Sequence, residues 1–191
     1  MNTLLALSPL DGRYSDKTAA LRPILSEYGL IFHRLYVEIE WFKWLAAETA
    51  IPELPELDKD QLAYLDQIVE NFDLEAAMAI KAHEKTTNHD VKALEYYLKD
   101  QLMGHPQLQS HLEFIHFACT SEDINNLAYA LMIKKTRDQV IVPQLEELMD
   151  ALEKMAISYK NITLLGKTHG QPASPTTMGK EFRNVITRIE R

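Results

Sequence analysis

Cysteine and glycine are scarce in this chain of 191 residues. Cys119 is the single cysteine, which excludes an internal disulfide and a zinc site built on several cysteines. Six glycines and eight prolines exclude a collagen-like chain, and they disfavour an all-β fold because such folds need many turn residues. The lone cysteine is typical of a protein of the reducing cytosol.

Positive charge and long hydrophobic runs are lacking as well. The 20 basic and 28 acidic residues give a formal net charge of −8, which disfavours binding to a nucleic-acid backbone. No segment approaches the ~20 apolar residues that a membrane-spanning helix needs. Pro9 and Asp11 interrupt the first apolar run, which no basic stretch precedes, so it is not a secretory signal. We therefore expect a soluble, cytoplasmic protein that binds neither nucleic acid nor membrane.

Apolar residues recur with helical spacing through nearly the whole chain. In the first half this spacing predicts helices over residues 28–49, 59–72, 74–85 and 87–103. Two prolines within 51–57 end the first of these helices. Within that helix, Arg34 and Glu38 have the spacing of an i, i+4 ion pair.

The second half has the pattern of a helix packed in a bundle. Six apolar residues alternate by four and three positions, namely Ile141, Leu145, Leu148, Leu152, Met155 and Tyr159. Pro143 lies inside this helix and predicts a bend near Gln139. Residues 161–176 predict a loop, after which Ser174 and Pro175 predict the N-cap and first turn of a last helix.

These elements predict an all-α fold of two parts. A small helical N-terminal domain over 1–111 precedes the first long helices of a central bundle over 112–191. The last helix reaches Arg191 without a cap or a breaker. We therefore expect the bundle to be incomplete and the chain to be a piece of a longer protein.

Polar residues collect where helices are predicted to begin. Residues 8–14 form a turn signal that ends in Arg13 and Tyr14. One interpretation is an exposed turn. The other is a binding segment, because a guanidinium can form two parallel hydrogen bonds to a carboxylate or phosphate.

Residues 86–90 offer a similar choice. Thr87 and Asp90 have the spacing of a capping box, which explains both without any function. Asn88 and His89 are left unexplained by a cap. A helix N-terminus with free N–H groups is also a ready anion site, so this segment is a candidate for binding.

Two further segments carry candidate residues. Thr120 and Asp123 can cap the next helix, or Thr120 and Ser121 can hold a carboxylate there. His169 lies in the 161–176 loop, where it is either incidental or a group that exchanges protons near neutral pH. The other histidines have no regular ligand spacing and no Gly-rich phosphate loop is present, so we expect neither a metal nor a cofactor.

Four segments taken together are more specific than any one of them. SPLDGRY, EKTTNHDVKALEYYL, EFIHFACTSEDINNLAYALM and THGQPASPTTMGKE follow one another in this order. The set closely resembles the N-terminal part of the bacterial adenylosuccinate lyases, a family of the fumarase/aspartase superfamily. The likeness extends over essentially the whole chain.

The resemblance implies a lyase of purine nucleotide biosynthesis. It would eliminate fumarate from adenylosuccinate, giving AMP, and from succinylo-aminoimidazole carboxamide ribotide. His169 matches the family's general acid. The residues that match substrate-lining positions are Arg13, Tyr14, Asn88, His89, Asp90, Thr120 and Ser121. The resemblance also implies a homotetramer with no cofactor, whose partners are small succinyl-purine nucleotides.

One family signature is missing from this sequence. The Gly-Ser-Ser-x-Met-Pro loop, whose serine is taken to be the base, does not occur, so we expect the chain alone to be inactive. Two alternatives remain open. The first is another fumarate-releasing lyase, such as argininosuccinate lyase or fumarase, and the second is a non-catalytic helical assembly module.

Overall fold

A computed structural model describes residues 3–48 and 50–191, and most of them are helical, which confirms the predicted all-α class. The chain divides into two compact units, one ending at Thr136 and the other covering Arg137–Arg191. The predicted domain boundary between residues 111 and 112 falls inside the first unit and stays a prediction. In the described residues, no helix is both long enough and apolar enough to cross a membrane.

The first unit contains six α-helices among its described residues. Short 3-10 turns at Thr3–Leu5 and Ala19–Leu21 come first, and a longer one covers Gln109–Phe114. The α-helices are α1 Arg22–Leu25, α2 Glu27–Ala47, α3 Lys59–Glu70, α4 Leu74–Thr87, α5 Asp90–Met103 and α6 Ser121–Thr136. The four predicted helices of this half correspond to α2–α5; three of their eight ends coincide with the structure and the others differ by one to three residues.

Local side-chain bonds explain where three of these helices start. Ser26 accepts a hydrogen bond from Gly29 N at the start of α2, and Asp73 accepts one from Ala76 N at the start of α4. Asp58 and Gln61 form a reciprocal capping box at the start of α3. Each such cap satisfies donors that the first helical turn leaves free, and is worth about 0.5–2 kcal/mol.

Helix α2 forms the centre of the core in the first unit. Its buried Leu35, Ile39 and Phe42 belong to one apolar cluster with residues of α3, α4 and α5, among them Leu65, Ile80, Leu94 and Leu98. Burying one such side chain stabilises the fold by about 1.5–3 kcal/mol. Three titratable side chains are also buried on α2, namely His33, Arg34 and Glu38.

The predicted ion pair between Arg34 and Glu38 is wrong. Arg34 instead pairs with Asp90 on α5, with 2.7 Å between Nη2 and Oδ2. Glu38 accepts a hydrogen bond from His116 Nδ1 at 2.6 Å. Both α2 side chains are buried, and buried charges need partners close at hand, which neighbouring elements supply here.

The second unit begins with a π-helical turn at Arg137–Ile141, followed by α7 Val142–Ser158. The turn includes Gln139, near which Pro143 predicts a bend. Pro143 has no N–H, and its ring crowds the carbonyl of residue 139, four positions earlier, which disfavours an uninterrupted α-helix at this point. Helix α8, Met178–Ile189, ends the unit.

Two predictions for the 161–177 region are wrong. Residues 161–176 are not a plain loop, because β1 Thr163–Leu164 pairs with β4 Thr176–Thr177, and β2 Lys167–Thr168 pairs with β3 Gln171–Pro172, both antiparallel. Ser174 and Pro175 do not start the last helix. The pairing keeps the chain extended for two residues beyond Pro175, and Thr177 caps α8 by accepting from Lys180 N at 3.2 Å.

Helices α7 and α8 approach each other closely at Gly179. A Cβ added there would clash with the carbonyl oxygen of Ala156 and the backbone of Lys160, so this position has no room for a side chain. The Gly179 N–H donates to Tyr159 O at 3.1 Å. The hydrogen side chain of glycine therefore sets the spacing of the two helices.

Candidate functional site

Arg34 connects two of the segments predicted to bind substrate. Its Nη2 atom lies 2.7 Å from Asp90 Oδ2 at the first turn of α5. Its Nε donates to Asn125 Oδ1 at 2.8 Å, in the first turns of α6. The Arg34 side chain is 8% exposed, so one buried guanidinium holds the two helix starts beside each other.

The segment 87–90 has a different local structure from the predicted capping box. Thr87 is the last residue of α4, and its hydroxyl donates to His89 O at 3.0 Å. Asn88 adopts a left-handed conformation with φ of 51°, which ends α4. His89 is the N-cap of α5, because its Nδ1 accepts from Lys92 N at 3.2 Å.

The Asp90 side chain is a negative charge that its ion pair with Arg34 holds in place. Burial opposes ionisation of this carboxyl, but the Val91 N–H and the Arg34 guanidinium outweigh that effect and lower its pKa. Asn88, His89 and Asp90 are all exposed. The segment thus presents an amide, an imidazole and a carboxylate on a backbone that α4 and α5 hold at both ends.

At the start of α6, Asp123 binds Thr120. The Asp123 carboxylate accepts from Thr120 N at 2.8 Å and from the Thr120 hydroxyl at 2.9 Å. These two bonds lower the pKa of Asp123. The Ser121 hydroxyl has no hydrogen-bond partner within the described residues, and the side chain is half-buried. The cap interpretation therefore accounts for Thr120 and leaves Ser121 unexplained.

A cluster of one buried and two half-buried side chains, Glu38, His116 and Cys119, involves the residues directly before this segment. Besides its bond to Glu38, His116 Nδ1 lies 3.5 Å from Cys119 Sγ. The Glu38 hydrogen bond raises the pKa of His116. Burial and the nearby Glu38 carboxylate raise the pKa of Cys119 to about 12. The cluster is therefore a hydrogen-bonded carboxylate–imidazole pair with a neutral thiol beside it.

The same three side chains, Glu38, His116 and Cys119, offer ligand atoms within 4.8 Å of one another. A cation could bind there only after the thiol lost its proton and the hydrogen bond between Glu38 and His116 broke. The cluster in its present form is better suited to hold the backbone than to hold a metal.

Arg13 and Tyr14 lie in the predicted N-terminal turn. Gly12 N donates to Ser8 O and Tyr14 N donates to Pro9 O, at 3.0 and 2.9 Å. The Arg13 guanidinium carbon lies 5.7 Å from the centre of the Tyr14 ring, within the range of a cation–π contact. Both side chains are exposed, and Arg13 makes no ion pair within the described part of the chain.

His169 belongs to the second unit, at the tip of the β2–β3 hairpin. His169 and Gly170 are the two residues between the paired strands, and their φ angles are 51° and 76°. Positive φ at both central positions is the requirement of the tight type I′ turn, whose twist matches that of the strands. The exposed imidazole is therefore presented on a constrained hairpin instead of a loose loop.

The structure thus links the first turn of α5, which contains Asp90, to Asn125 in the first turns of α6, through Arg34. It reveals three residues that the sequence patterns did not single out for the site, which are Arg34, Glu38 and His116. The sequence does contain a signal for two of them, because Arg34 and Glu38 lie on the apolar face of α2 and buried charged residues need partners. What could not be read from the sequence was which partners the other elements would supply.

Comparison with known proteins agrees with these observations. The chain is 54% identical over its 191 residues to the adenylosuccinate lyase of Escherichia coli (strain K12), covering 100% of this chain and 42% of that protein. It is 53% identical over 191 residues to the adenylosuccinate lyase of Vibrio cholerae serotype O1, again covering 42% of that protein. The chain therefore spans less than half the length of these relatives, and it matches their N-terminal portion.

Solved structures show the same fold. The fumarate lyase from Mesorhizobium sp. BNC1 matches with a TM-score of 0.63 at 20% identity, over 90% of this chain and 39% of that chain. The 3-carboxy-cis,cis-muconate lactonizing enzyme from Pseudomonas putida matches with a TM-score of 0.61 at 23% identity, over 90% of this chain and 37% of that chain. A family described as "Lyase" matches residues 12–191, which is nearly the whole chain and includes every candidate site residue, so the chain belongs to this lyase family.

Proposed function

We propose that this chain is the N-terminal portion of an adenylosuccinate lyase. The complete enzyme would release fumarate from adenylosuccinate and from succinylo-aminoimidazole carboxamide ribotide, and so serve purine nucleotide biosynthesis. The observation that carries the proposal is the pair of bonds made by Arg34, which hold the starts of α5 and α6 beside each other. Identity of 54% to a named adenylosuccinate lyase supports the choice of substrate.

The chemistry of these helix starts suits an anionic substrate. A succinyl-purine nucleotide carries two carboxylates and a phosphate, and helix N-termini favour negative charge through free N–H groups and the helix dipole. In the proposal, Asn88, His89 and Ser121 donate hydrogen bonds to the succinyl group. Asp90 is already paired with Arg34, so it orients the Arg34 side chain and its own helix turn.

Elimination needs a base and an acid. A base removes a proton beside a carboxylate, and the carbanion that forms is stabilised by donors aimed at that carboxylate. An acid then gives a proton to the departing nitrogen. We assign the acid to His169, because an exposed imidazole on a constrained hairpin can be held at a fixed place near a substrate, and imidazole is a common general acid in enzymes.

Arg13 and Tyr14 complete the proposed set of substrate-binding residues. Their side chains are exposed and stacked on each other, which leaves the guanidinium edge able to bind a phosphate or carboxylate. The proposed enzyme is a cytoplasmic homotetramer with no cofactor. The lone cysteine and the family resemblance support this part of the proposal.

The test is an absorbance assay on the complete lyase that carries this chain. We expect fumarate release from adenylosuccinate, and much less from argininosuccinate or malate. The variant His169→Ala should lower kcat by about 10²–10⁴-fold, the usual contribution of general acid–base catalysis, with the helical circular dichroism unchanged. His105→Ala, which removes a histidine outside the proposed site, serves as the matched control.

The substrate assignment and the role of His169 can fail separately. Release of fumarate from argininosuccinate or malate instead would select another lyase of the superfamily. A folded enzyme that cleaves none of these substrates would favour a non-catalytic assembly module. Near-normal kcat in His169→Ala would remove His169 from the mechanism while leaving the substrate assignment intact.

A further inference from the structure

One face of α2 holds the chain on both sides of Thr120 and Ser121. Arg34, Glu38 and Trp41 are spaced by four and three residues, so they lie on the same side of the helix. Arg34 binds Asn125, which follows the segment, through the bond already described.

The other two α2 side chains bind the residues before the segment. Glu38 accepts from His116 Nδ1 at 2.6 Å, and Trp41 Nε1 donates to Phe117 O at 2.8 Å. A single helix thus fixes the short stretch of chain that precedes the start of α6. Thr120 and Ser121 therefore lie between residues that are bonded to α2 on both sides.

The backbone in this stretch is unusual. His116 and Ala118 both have positive φ, 59° and 57°, a region that residues other than glycine rarely adopt. Such a conformation persists only where the surroundings determine it strongly, and it is often found at functional sites. The hydrogen bonds that join Glu38 to His116 and Trp41 to Phe117 O hold this backbone in place.

The energetics of Glu38 indicate a role other than stability. Its side chain is 0% exposed, and its Oε2 atom has no hydrogen-bond partner within the described part of the chain. A buried carboxylate with one satisfied oxygen is a costly group, and apolar residues would fill the same space at lower cost. What Glu38 provides that an apolar residue cannot is a directed bond to His116.

We propose that Glu38 and His116 are positioning residues, which together with Trp41 set the backbone that presents Ser121 to a substrate carboxylate. This inference rests on the proposed function. Neither residue touches the reacting atoms in it. Misplacing a binding group by about 1 Å can cost on the order of 100-fold in rate, so a bond this far from the substrate can still control catalysis.

The experiment compares variants in the complete lyase that carries this chain. Glu38→Ala removes the acceptor for His116, whereas Glu38→Gln keeps an oxygen that can accept from Nδ1–H. Tyr64→Phe is the matched control, because it removes one partly buried hydrogen bond, from the Tyr64 hydroxyl to Gln101 O, elsewhere in the same unit. Fumarate absorbance gives kcat and KM, and circular dichroism gives the folded fraction.

We expect Glu38→Ala to lower kcat of the folded enzyme by about 10- to 100-fold. Glu38→Gln should recover most of this loss, and Tyr64→Phe should stay within about twofold of the unsubstituted enzyme. A lower melting temperature with kcat equal to that of Tyr64→Phe would overturn the inference, because the pair would then be only structural.

A second variant covers the case in which Glu38→Ala does not fold. Trp41→Phe keeps an aromatic ring, although a smaller one beside Trp44, and loses the bond to Phe117 O. A lower kcat of the folded enzyme supports the inference and an unchanged kcat overturns it. The two proposals fail in different ways. An unsubstituted enzyme without activity on adenylosuccinate contradicts the proposed function, whereas an active enzyme with insensitive variants contradicts the positioning role alone.

Discussion

At the scale of single residues, a substitution at Ser121 distinguishes a role in substrate binding from a role in helix capping. Asp123 already satisfies Thr120, and Ser121 has no partner in the described chain. If Ser121 binds a substrate carboxylate, Ser121→Ala should lower kcat/KM of the complete enzyme by about 10- to 100-fold, the value of one hydrogen bond to a charged group. Its stability should change by less than about 0.5 kcal/mol. Steady-state kinetics and thermal melting measure the two effects.

The matched variant is Thr120→Ala, which removes the hydroxyl bond to Asp123. It should destabilise the fold by about 0.5–2 kcal/mol, as loss of a helix cap does. A clear fall of melting temperature in Ser121→Ala, with unchanged kinetics, would mean that Ser121 belongs to the cap and not to the binding site.

His116 should make the stability of the fold depend on pH. The hydrogen bond that His116 donates to Glu38 raises the pKa of His116 above the ordinary 6.5, burial opposes this rise, Glu38 and Glu95 add to it through their charge, and Lys92 reduces it. Because the folded state holds this proton more tightly than the unfolded state, the contribution is full below pH 6.5 and is lost as pH rises through the folded pKa. Thermal melting between weakly acid and weakly alkaline pH should show the loss.

His33 changes the stability of the fold with pH in the opposite direction, so a variant is needed to isolate the effect of His116. Burial lowers the pKa of His33, and its contribution is lost as pH falls below 6.5. In His116→Gln the decline of melting temperature above pH 6.5 should be smaller than in the unsubstituted protein, while the decline on the acid side should remain. Parallel curves for the two proteins over the whole range would contradict the assigned linkage.

At the scale of elements, Gly179 sets the distance between α7 and α8. Gly179→Ala would place a methyl group against the Ala156 carbonyl and the Lys160 backbone. We expect a loss of about 1–3 kcal/mol, the usual cost of overpacking, even though alanine is the better helix former. Lys180→Ala is the control on the exposed neighbouring position and should cost less than about 0.5 kcal/mol. Equal stability of the two variants in denaturant unfolding would show that the helices can separate freely.

The elements also show what the sequence can and cannot predict. Helices α2–α5 were predictable because their apolar spacing and their punctuating Gly and Pro residues are local signals. The hairpins around His169 were not, since two-residue strands have no measurable periodicity and their pairing joins Thr163 with Thr177, 14 positions along the chain. The predicted start of α8 is wrong for the same reason. Ser174 and Pro175 have the local pattern of a helix start, but the strand pairing of Thr176 and Thr177 overrides it.

The sequence predicts the candidate site only in part, again because distant contacts leave no local signal. Asn88, Thr120 and His169 stand in short polar segments, so family resemblance and residue type both point to them. Arg34 and Glu38 lie in a long apolar helix, where an i, i+4 ion pair is the simplest local expectation. Their real partners, Asp90 and His116, are 56 and 78 positions away, and only the packing of α2 against other elements selects them.

At the scale of the whole molecule, the surface of the second unit has a consequence for association. Four residues of the predicted heptad stripe remain exposed, Ile141, Leu145, Leu148 and Met155, at 43%, 38%, 47% and 37%. In the first unit, α6 carries exposed Leu127 and Ile133. A row of exposed apolar side chains such as the stripe is unusual on a monomer. Each such side chain gains about 1.5–3 kcal/mol when fully buried, so the stripe strongly favours contact with other helices.

We therefore predict that the 191-residue chain on its own self-associates through residues 122–160, and that it releases no fumarate from adenylosuccinate. Sedimentation at tens of micromolar should show species larger than the 21.9 kDa monomer. Leu148→Glu, which places a charge in the stripe, should shift the distribution towards the monomer, whereas Glu147→Gln at the exposed neighbouring position should not. A clean monomer for the unsubstituted chain would mean that the stripe is not used for association. Fumarate release would place the proton-abstracting base within these residues.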